Sequence, residues 1–214
     1  TPLTMAGIFI TFEGTEGCGK STHIKKLATY LEDEGHTVRA LREPGGTESG
    51  EEIRELLKHG PDNLTPEAEL LLMNASRAQL VREIIRPALS AGEVILCDRF
   101  YDSTTVYQGA GRGLDAAHVQ AVIDFAVGDT RPDLTLLLQI PLETSEKRRA
   151  NRRGSDRFES ADREFFQRIE AGYAALAEAE PDRIQVINAN RPLENVQADI
   201  MSAVFIALNN ANSR

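Results

Sequence analysis

The sequence predicts an α/β fold in which a parallel sheet of five strands is flanked by helices. Five short apolar segments alternate along the chain with longer segments of helical periodicity, which is typical of strands joined by helical crossovers. A glycine-rich loop lies between the first apolar segment and the first helical one. The chain has 214 residues, and we expect residues 1–214 to form one domain with its ligands at the carboxyl ends of the strands.

The predicted strands and helices follow one another in a regular order. Strands are predicted over residues 8–12, 37–41, 94–97, 134–140 and 184–188. Helices are predicted from the glycine-rich loop to residue 31 and over residues 49–59, 65–89, 116–127 and 192–208. Thr65 and Pro66 favour the start of the long helix, as its N-cap and its first helical residue. Residues 109–113 contain three glycines and are interpreted as a bend.

The glycine-rich loop fits the phosphate-binding pattern G-x-x-x-x-G-K-[ST], the P-loop, at every fixed position. It consists of Gly14, Thr15, Glu16, Gly17, Cys18, Gly19, Lys20, Ser21 and Thr22. In such a loop, backbone N–H groups point at phosphate oxygens and the helix that follows presents its positive dipole end. We expect Lys20 to reach the β and γ phosphates of a nucleoside triphosphate and the Ser21 hydroxyl to ligate Mg²⁺.

Ionic residues follow three of the predicted strands, at the edge of the sheet where ligands bind. They are Glu16 and Lys20 after the first strand, Arg42 and Glu43 after the second, and Asp98 and Arg99 after the third. Asp98 ends an apolar strand, the position from which a nucleotide enzyme holds Mg²⁺ directly or through water. An ordinary turn residue is the alternative interpretation of Asp98.

A basic cluster lies between two charged helical stretches of a chain whose formal net charge is −9. It is formed by Lys147, Arg148, Arg149, Arg152, Arg153 and Arg157. Phosphoryl transfer needs alignment, charge neutralisation and exclusion of water, and arginines on a closing flap supply all three. We therefore predict an arginine-rich lid over about residues 147–160, the alternative being a solvated helix face.

Composition and motifs argue against several classes of protein. The acidic balance is opposite to that of a protein that coats a nucleic-acid polymer. No apolar run approaches the length of a membrane span, and the first residues lack the pattern of a signal peptide. Cys18 and Cys97 have no metal-site or disulfide spacing, so we expect a cytoplasmic protein. A GTP-binding switch protein is the rival class, but neither its Asp-x-x-Gly switch nor its Asn-Lys-x-Asp motif occurs in the chain.

Five segments together resemble the bacterial type of the thymidylate kinase family, over nearly the whole chain. Besides the P-loop, they are residues 42–47 (REPGGT), 75–79 (ASRAQ), 98–100 (DRF) and 107–113 (YQGAGRG). The resemblance implies transfer of the γ-phosphoryl group of ATP to dTMP, with Mg²⁺, in a nucleoside-monophosphate-kinase fold that is usually a homodimer. A kinase of the same fold that acts on another nucleoside monophosphate is the alternative.

The resemblance also implies which residues form the dTMP site. They are Glu16, Arg42, Glu43, Pro44, Arg54, Met73, Arg77, Arg99, Thr104, Thr105 and Gln108. Arg99 is expected to grip the acceptor phosphate, whereas Arg77 and Gln108 are expected to hydrogen-bond the thymine edge. Glu16 is expected near the deoxyribose 3'-hydroxyl and the metal, and Glu43 is expected to orient the neighbouring arginines.

Two positions differ from other members of the family. Some relatives carry an arginine in the phosphate loop where this chain has Gly17, and an arginine-rich lid is the alternative arrangement. We therefore expect Arg149 and Arg153 to contact the donor phosphates, with Arg153 as a catalytic residue beside Lys20, Arg99 and Glu16. Many relatives have a phenylalanine that stacks on thymine where this chain has Met73. A flexible, polarizable methionine can cover an aromatic face, so we expect Met73 to cap the base; the alternative is that it points into the core.

Overall fold

The protein is described by a computed structural model over residues 7–61, 63–150 and 162–211. Its centre is a parallel sheet with the strand order β2-β3-β1-β4-β5. The strands are β1 (Ile8–Glu13), β2 (Val38–Arg42), β3 (Val94–Asp98), β4 (Leu134–Gln139) and β5 (Ile184–Asn188). Phe12 of β1 pairs with Asp98 of β3 on one side and with Leu136 of β4 on the other. The predicted fold class is confirmed, with strand bounds within a residue or so of those expected.

Helices cover both faces of this sheet. They are α1 (Lys20–Asp33), α2 (Glu48–His59), α3 (Pro66–Leu80), α4 (Arg86–Ser90), α5 (Tyr101–Thr104), α6 (Ala116–Val127), α7 (Leu142–Ala150), α8 (Arg163–Ala179) and α9 (Leu193–Ala211). A π-helical segment, Val81–Ile85, joins α3 to α4, so the predicted long helix is present with one wider turn inside it. Among the helices of the described residues, none has the length and apolar character to cross a membrane.

The interpretation of residues 109–113 as a bend is wrong for its first part. Helix α5 continues into a second π-helical segment, Thr105–Gly111, which was not predicted from the sequence. Gly111 is a glycine because of packing, since a Cβ there would lie 2.7 Å from Cε2 of Phe165 on α8. The glycines that suggested a turn therefore include one that allows a close approach between two helices.

Strand β1 is buried on both faces, which fixes the loop at its carboxyl end. Ile8, Ile10 and Phe12 pack against α1 and α9 in one hydrophobic cluster. Phe9, which points to the opposite face, belongs to a second cluster with α3 and α6. A central strand covered on both sides is typical of a parallel sheet, and it gives the P-loop a rigid origin.

Candidate active site

A cavity of about 300 Å³ opens at the carboxyl edge of the sheet. The residues of the predicted site that line it are Glu16, Gly17, Gly19, Lys20, Ser21, Thr22, Arg42, Glu43, Pro44, Arg54, Met73, Arg77, Asp98, Arg99, Thr104 and Gln108. Lys58, Phe100, Ser103 and Tyr107 also line the cavity and were not predicted. Residues that are far apart in the sequence thus meet in one concave site, the arrangement expected where a ligand binds at the ends of parallel strands.

The P-loop curls around the ammonium group of its lysine. Gly14, Gly17 and Gly19 have φ angles of 131°, 81° and 99°, which side-chain-bearing residues rarely adopt. Lys20 Nζ donates to the carbonyl oxygens of Gly14 at 3.0 Å and Thr15 at 3.3 Å. Helix α1 begins directly at Lys20, and none of the described side chains caps its N-terminus. Its first backbone N–H groups can therefore bind an anion, as in other phosphate-binding loops.

Ser21 and Asp98 form a pair of oxygen donors beside the loop. The Ser21 hydroxyl donates to Oδ2 of Asp98 over 2.8 Å. The pair forms because β1 and β3 are neighbours in the sheet and end at the same edge, where Ser21 lies in the first turn of α1 and Asp98 ends β3. Hydroxyl and carboxylate oxygens are ligands that Mg²⁺ prefers, so this donor set fits a magnesium ion.

Arg99 is turned back over the cavity by an unusual backbone conformation. Its φ angle is 71°, the one positive value recorded for a described residue other than glycine, and such a residue is held in place only when its surroundings fix it. Its Nη2 donates to Glu16 Oε1 at 2.7 Å and to the Tyr107 hydroxyl at 3.0 Å. Its Nη1 donates to Ser103 Oγ at 2.9 Å, and the guanidinium lies 4.8 Å from the centre of the Tyr107 ring.

Both members of the Arg99 and Glu16 pair are ionised. Burial opposes the charge of Arg99, but the nearby Tyr107 and Glu16 raise its pKa well above its ordinary value. Burial by itself would raise the pKa of Glu16, yet Arg99 and Lys20 lower it overall. Among the charged residues that line the cavity, Glu16 is therefore a carboxylate that interacts with two cations, Lys20 and Arg99.

Arg77 is buried beneath the far end of the cavity. Its Nε donates to Glu43 Oε2 at 2.8 Å, and both side chains are only 2% exposed. Its Nη1 donates to Asn74 Oδ1 and Thr104 Oγ1, each at 2.9 Å, while its Nη2 donates to the Phe100 carbonyl oxygen at 3.1 Å. Arg77 thus connects the end of β2 with α3 and α5. Glu43 thus contacts one of the neighbouring arginines, and its predicted orienting role stays a prediction.

The other oxygen of Glu43 is in an unusual environment. Its Oε1 is buried and has no hydrogen-bond partner among the described residues. Burial raises the pKa of Glu43 from 4.5 to about 7, although the neighbouring Arg77 acts in the opposite direction. Glu43 lines the cavity, so this site contains a carboxyl group that titrates near neutral pH.

Similarity to known proteins decides the family of this chain. A family model described as thymidylate kinase matches residues 12–200. The chain belongs to the thymidylate kinase family. A thymidylate kinase from Alcanivorax borkumensis is 48% identical over 202 residues, which cover 94% of this chain and 97% of that relative. A thymidylate kinase from Methylococcus capsulatus is 49% identical over 198 residues, or 92% and 95% of the two chains.

A solved structure agrees with this assignment. The crystal structure of thymidylate kinase from Ehrlichia chaffeensis superposes with a TM-score of 0.77 at 32% identity, covering 93% of this chain and 99% of that one. The thymidylate kinase resemblance inferred from the five sequence segments is confirmed. The roles of the individual residues stay predictions, which the geometry of the site makes more specific.

In this member of the thymidylate kinase family, helix α7 touches the phosphate loop. Ser145 Oγ donates to the Glu16 carbonyl oxygen at 2.8 Å, and Arg148 Nη1 donates to the Gly17 carbonyl oxygen at 2.7 Å. Arg149 lies instead with its guanidinium 3.6 Å from the centre of the Phe166 ring. Residues 151–160 of the predicted lid, including Arg153, lie outside the described residues. Arg148 belongs to the predicted basic cluster but was not predicted to contact phosphate, and among the described residues of that cluster it is the one that donates to the loop.

Some predicted residues of the thymidylate kinase site have other partners in this structure. Arg42 is exposed and donates to Glu51 Oε2 at 2.7 Å, whereas Arg54 Nη1 donates to the Pro44 carbonyl oxygen at 2.8 Å. Thr105 is not among the described residues that line the cavity, and its hydroxyl donates to a carbonyl oxygen one helical turn earlier. Gly14, Thr15 and Cys18 belong to the phosphate loop but are not among the described residues that line the cavity. Met73 is partly buried and lines the cavity, so its predicted contact with the base is sterically possible.

A buried carboxylate behind Arg99 was missed entirely. Glu13, the last residue of β1, accepts hydrogen bonds from Phe100 N at 2.8 Å, Ser103 Oγ at 2.6 Å and the Tyr173 hydroxyl at 2.7 Å. Burial and then the nearby Asp102 raise the pKa of Glu13. Glu13 therefore fixes the turn that carries Arg99. The sequence did contain a signal for this residue, since a carboxylate at the end of an apolar strand is buried and a buried charge needs hydrogen-bond partners.

Proposed function

We infer that this member of the thymidylate kinase family transfers the γ-phosphoryl group of ATP to dTMP, forming ADP and dTDP for dTTP biosynthesis. The observation that carries this inference is that one cavity connects Lys20 of the phosphate loop, the cationic Arg99 and the amide of Gln108. A donor phosphate, an acceptor phosphate and a base can thus lie in line along a single cleft, which is the alignment that phosphoryl transfer requires.

The donor ATP would bind at the phosphate loop. Its phosphate oxygens would replace the Gly14 and Thr15 carbonyls around the Lys20 ammonium and accept from the first N–H groups of α1. Ser21 and Asp98 would hold Mg²⁺, which when bound neutralises charge on the β and γ phosphates. Arg148 lies at the loop already, and we propose that Arg149 and Arg153 of the lid join it when ATP is bound.

The acceptor phosphate would bind at Arg99. A phosphate monoester is already an oxyanion at neutral pH, so the attacking oxygen needs no general base. Arg99 is held by four side chains, and its charge is maintained despite burial. It can therefore neutralise the incoming dianion without moving far, which is electrostatic preorganisation. Glu16 repels phosphate but can accept a hydrogen bond from the deoxyribose 3'-hydroxyl. Arg99 would therefore bind the 5'-phosphate of the nucleotide, and Glu16 would bind its 3'-hydroxyl.

The base would lie at the end of the cavity remote from the phosphate loop. This end is lined by Met73, Arg77, Phe100, Thr104 and Gln108, which are apolar or hydrogen-bonding groups. A flat heterocycle needs apolar contact on its face and polar groups at its edge. Met73 supplies the apolar contact, and Gln108 supplies the polar group at the edge. Arg77 already makes four hydrogen bonds, so a contact with the base would have to share one of its donors.

A coupled ADP-release assay tests this function. With ATP and Mg²⁺, we expect kcat/KM to be highest for dTMP when dTMP, dUMP, dCMP and GMP are compared. Fastest turnover of any other acceptor would overturn the assignment in favour of another nucleoside monophosphate kinase. Omission of Mg²⁺ is expected to abolish turnover, because the metal neutralises the donor phosphates.

We also propose that the protein is a cytoplasmic homodimer. Helices α3 and α6 are packed side by side and carry Leu71, which is 58% exposed, and Phe125, which is 85% exposed. Large apolar side chains on neighbouring helices favour contact with a second copy. Light scattering of the purified chain tests this, with a mass near twice the 23.5 kDa of the monomer as the expected result. Cys18 and Cys97 are free thiols, consistent with a reducing compartment.

A further inference from the structure

Beside the proposed base site, an amide and a carboxylate meet in the interior between α3 and the second π-helical segment. Gln108 Nε2 lies 2.8 Å from Glu69 Oε1, and both residues are 1% exposed. Arg112 donates to both oxygens of Glu69, from Nε at 3.3 Å and from Nη2 at 3.1 Å. The guanidinium of Arg112 in turn lies 4.9 Å from the centre of the Phe165 ring. Arg112 thus supplies the opposite charge that a buried carboxylate needs.

This contact determines which way the Gln108 amide faces. A glutamine amide has a donating NH₂ group and an accepting carbonyl, and the two are similar in shape. An ionised carboxylate can only accept, so the group that faces Glu69 has to be the NH₂. The carbonyl oxygen is then the amide atom left for the cavity, which Gln108 lines. The orientation of a residue at the cavity wall is therefore set by a residue that does not line it.

We propose that Glu69 is a positioning residue for base selection, which holds the Gln108 carbonyl toward the cavity and so favours an imide base over cytosine. This rests on the proposed function, in which the base lies at this end of the cavity. Thymine and uracil carry a hydrogen at N3 and can donate it to the carbonyl. Cytosine carries a lone pair at N3, and two acceptors that face each other leave both unsatisfied at a buried site.

Glu69→Gln is the variant that tests the proposal, because it keeps the shape of the side chain and removes its acceptor-only character. An amide at position 69 can present either group to Gln108, so the Gln108 amide can rotate. We expect the ratio of kcat/KM for dTMP to that for dCMP to fall roughly tenfold or more, chiefly through KM. The ratio for dTMP to dUMP should not change, because both bases carry the same N3 hydrogen.

Two further variants separate positioning from folding. Arg112→Lys keeps a cation beside Glu69 and so keeps the carboxylate ionised, but it loses the two-point contact of the guanidinium. It should therefore lower thermal stability and leave the dTMP to dCMP ratio unchanged. In a Gln108→Leu background, Glu69→Gln should have no further effect on that ratio, since Glu69 acts through Gln108. If Glu69→Gln alone does not fold, combining it with Arg112→Met removes both charges and carries the same test.

Each outcome has one meaning. An unchanged dTMP to dCMP ratio in Glu69→Gln, or an equal loss of activity on all three acceptors, refutes the positioning role. A further change of the ratio in the Gln108→Leu background refutes it as well. If the unaltered protein does not prefer dTMP to dCMP, the proposed function fails instead, before any variant is compared.

Discussion

The guanidinium of Arg99 lies 2.7 Å from the carboxylate of Glu16, and this ion pair joins the end of β3 to the phosphate loop. The two residues are 83 positions apart in the chain, and they meet because β1 and β3 are adjacent. The acceptor site and the donor site are therefore parts of one rigid unit. A change at either residue is expected to affect the chemistry rather than the fold.

Arg99→Ala is expected to lower kcat/KM for dTMP by roughly two to four decades, because it removes the charged contact to the accepting phosphate. Lys20→Ala should cause a loss of similar size through the donor phosphates. Steady-state kinetics with the coupled assay measure both. Arg39→Ala is the control, since Arg39 forms an exposed ion pair with Glu93 on the same sheet. Activity within a few fold of normal in Arg99→Ala would refute the acceptor-phosphate role.

Arg148→Met is expected to raise KM for ATP and lower kcat, because Arg148 is at the phosphate loop before ATP binds. Arg153→Ala should lower kcat through the proposed contact of the closed lid with the donor phosphates. Lys147→Met is the matched control, an exposed cation on the same helix as Arg148. If kcat is untouched in Arg153→Ala, that arginine has no part in the transfer.

Glu43→Gln is expected to change how stability depends on pH. The pKa of Glu43 is raised from 4.5 to about 7 in the folded protein, so its favourable contribution is fully present below about pH 4.5 and is lost as the pH rises to about 7. Glutamine does not titrate, so the variant should lose less stability over this interval, by on the order of 1–3 kcal/mol.

Urea unfolding of the wild type and of Glu43→Gln at several pH values between 4.5 and 8 measures this difference. Glu51→Gln serves as the control, because a hydrogen bond from the Gly46 N–H lowers the pKa of Glu51. The control should retain the wild-type loss of stability between pH 4.5 and 7. Parallel curves for the wild type and Glu43→Gln would show that Glu43 is ionised throughout.

Gly111→Ala is expected to destabilise the fold by about 1–3 kcal/mol, because its Cβ would lie 2.7 Å from Phe165 Cε2 and 3.1 Å from Ile169 Cδ1. Gly109→Ala is a matched control in the same π-helical segment, where an added Cβ meets no described heavy atom within 4 Å. That variant should be neutral or slightly more stable, since alanine restricts the unfolded chain. Thermal unfolding compares the two, and equal midpoints would contradict the packing role of Gly111.

Met73→Phe is expected to lower KM for dTMP, because an aromatic ring at the cavity wall covers more of the base than a thioether does. The coupled assay with dTMP and dUMP measures the effect on binding of the pyrimidine ring. An unchanged KM for dTMP would indicate that Met73 does not contact the base, although it lines the cavity.

The strands and most helices were predictable because hydrophobic periodicity is a local property of the sequence. The segment from α5 to Gly111 was not, since its glycines suggest a turn, and the reason for Gly111 lies on α8. The same difference between local patterns and contacts between distant residues applies to the candidate site. Lys20, Asp98 and Arg99 belong to contiguous motifs, which made them candidates from the sequence, and all three line the cavity. The contact between Glu13 and Tyr173 instead joins residues 160 positions apart. Contacts between buried residues that are far apart in the sequence can be recognised only when the arrangement of the sheet is known.

The short distance between Gly17 and Arg148 limits which side chains can replace the glycine at position 17. A Cβ at position 17 would lie 2.9 Å from Cβ of Arg148, and the φ angle of 81° already disfavours any side chain there. A mutation that introduces an arginine into the phosphate loop would therefore collide with the arginine that contacts it. We therefore expect a substitution at position 148 before, or together with, any substitution of Gly17 by arginine.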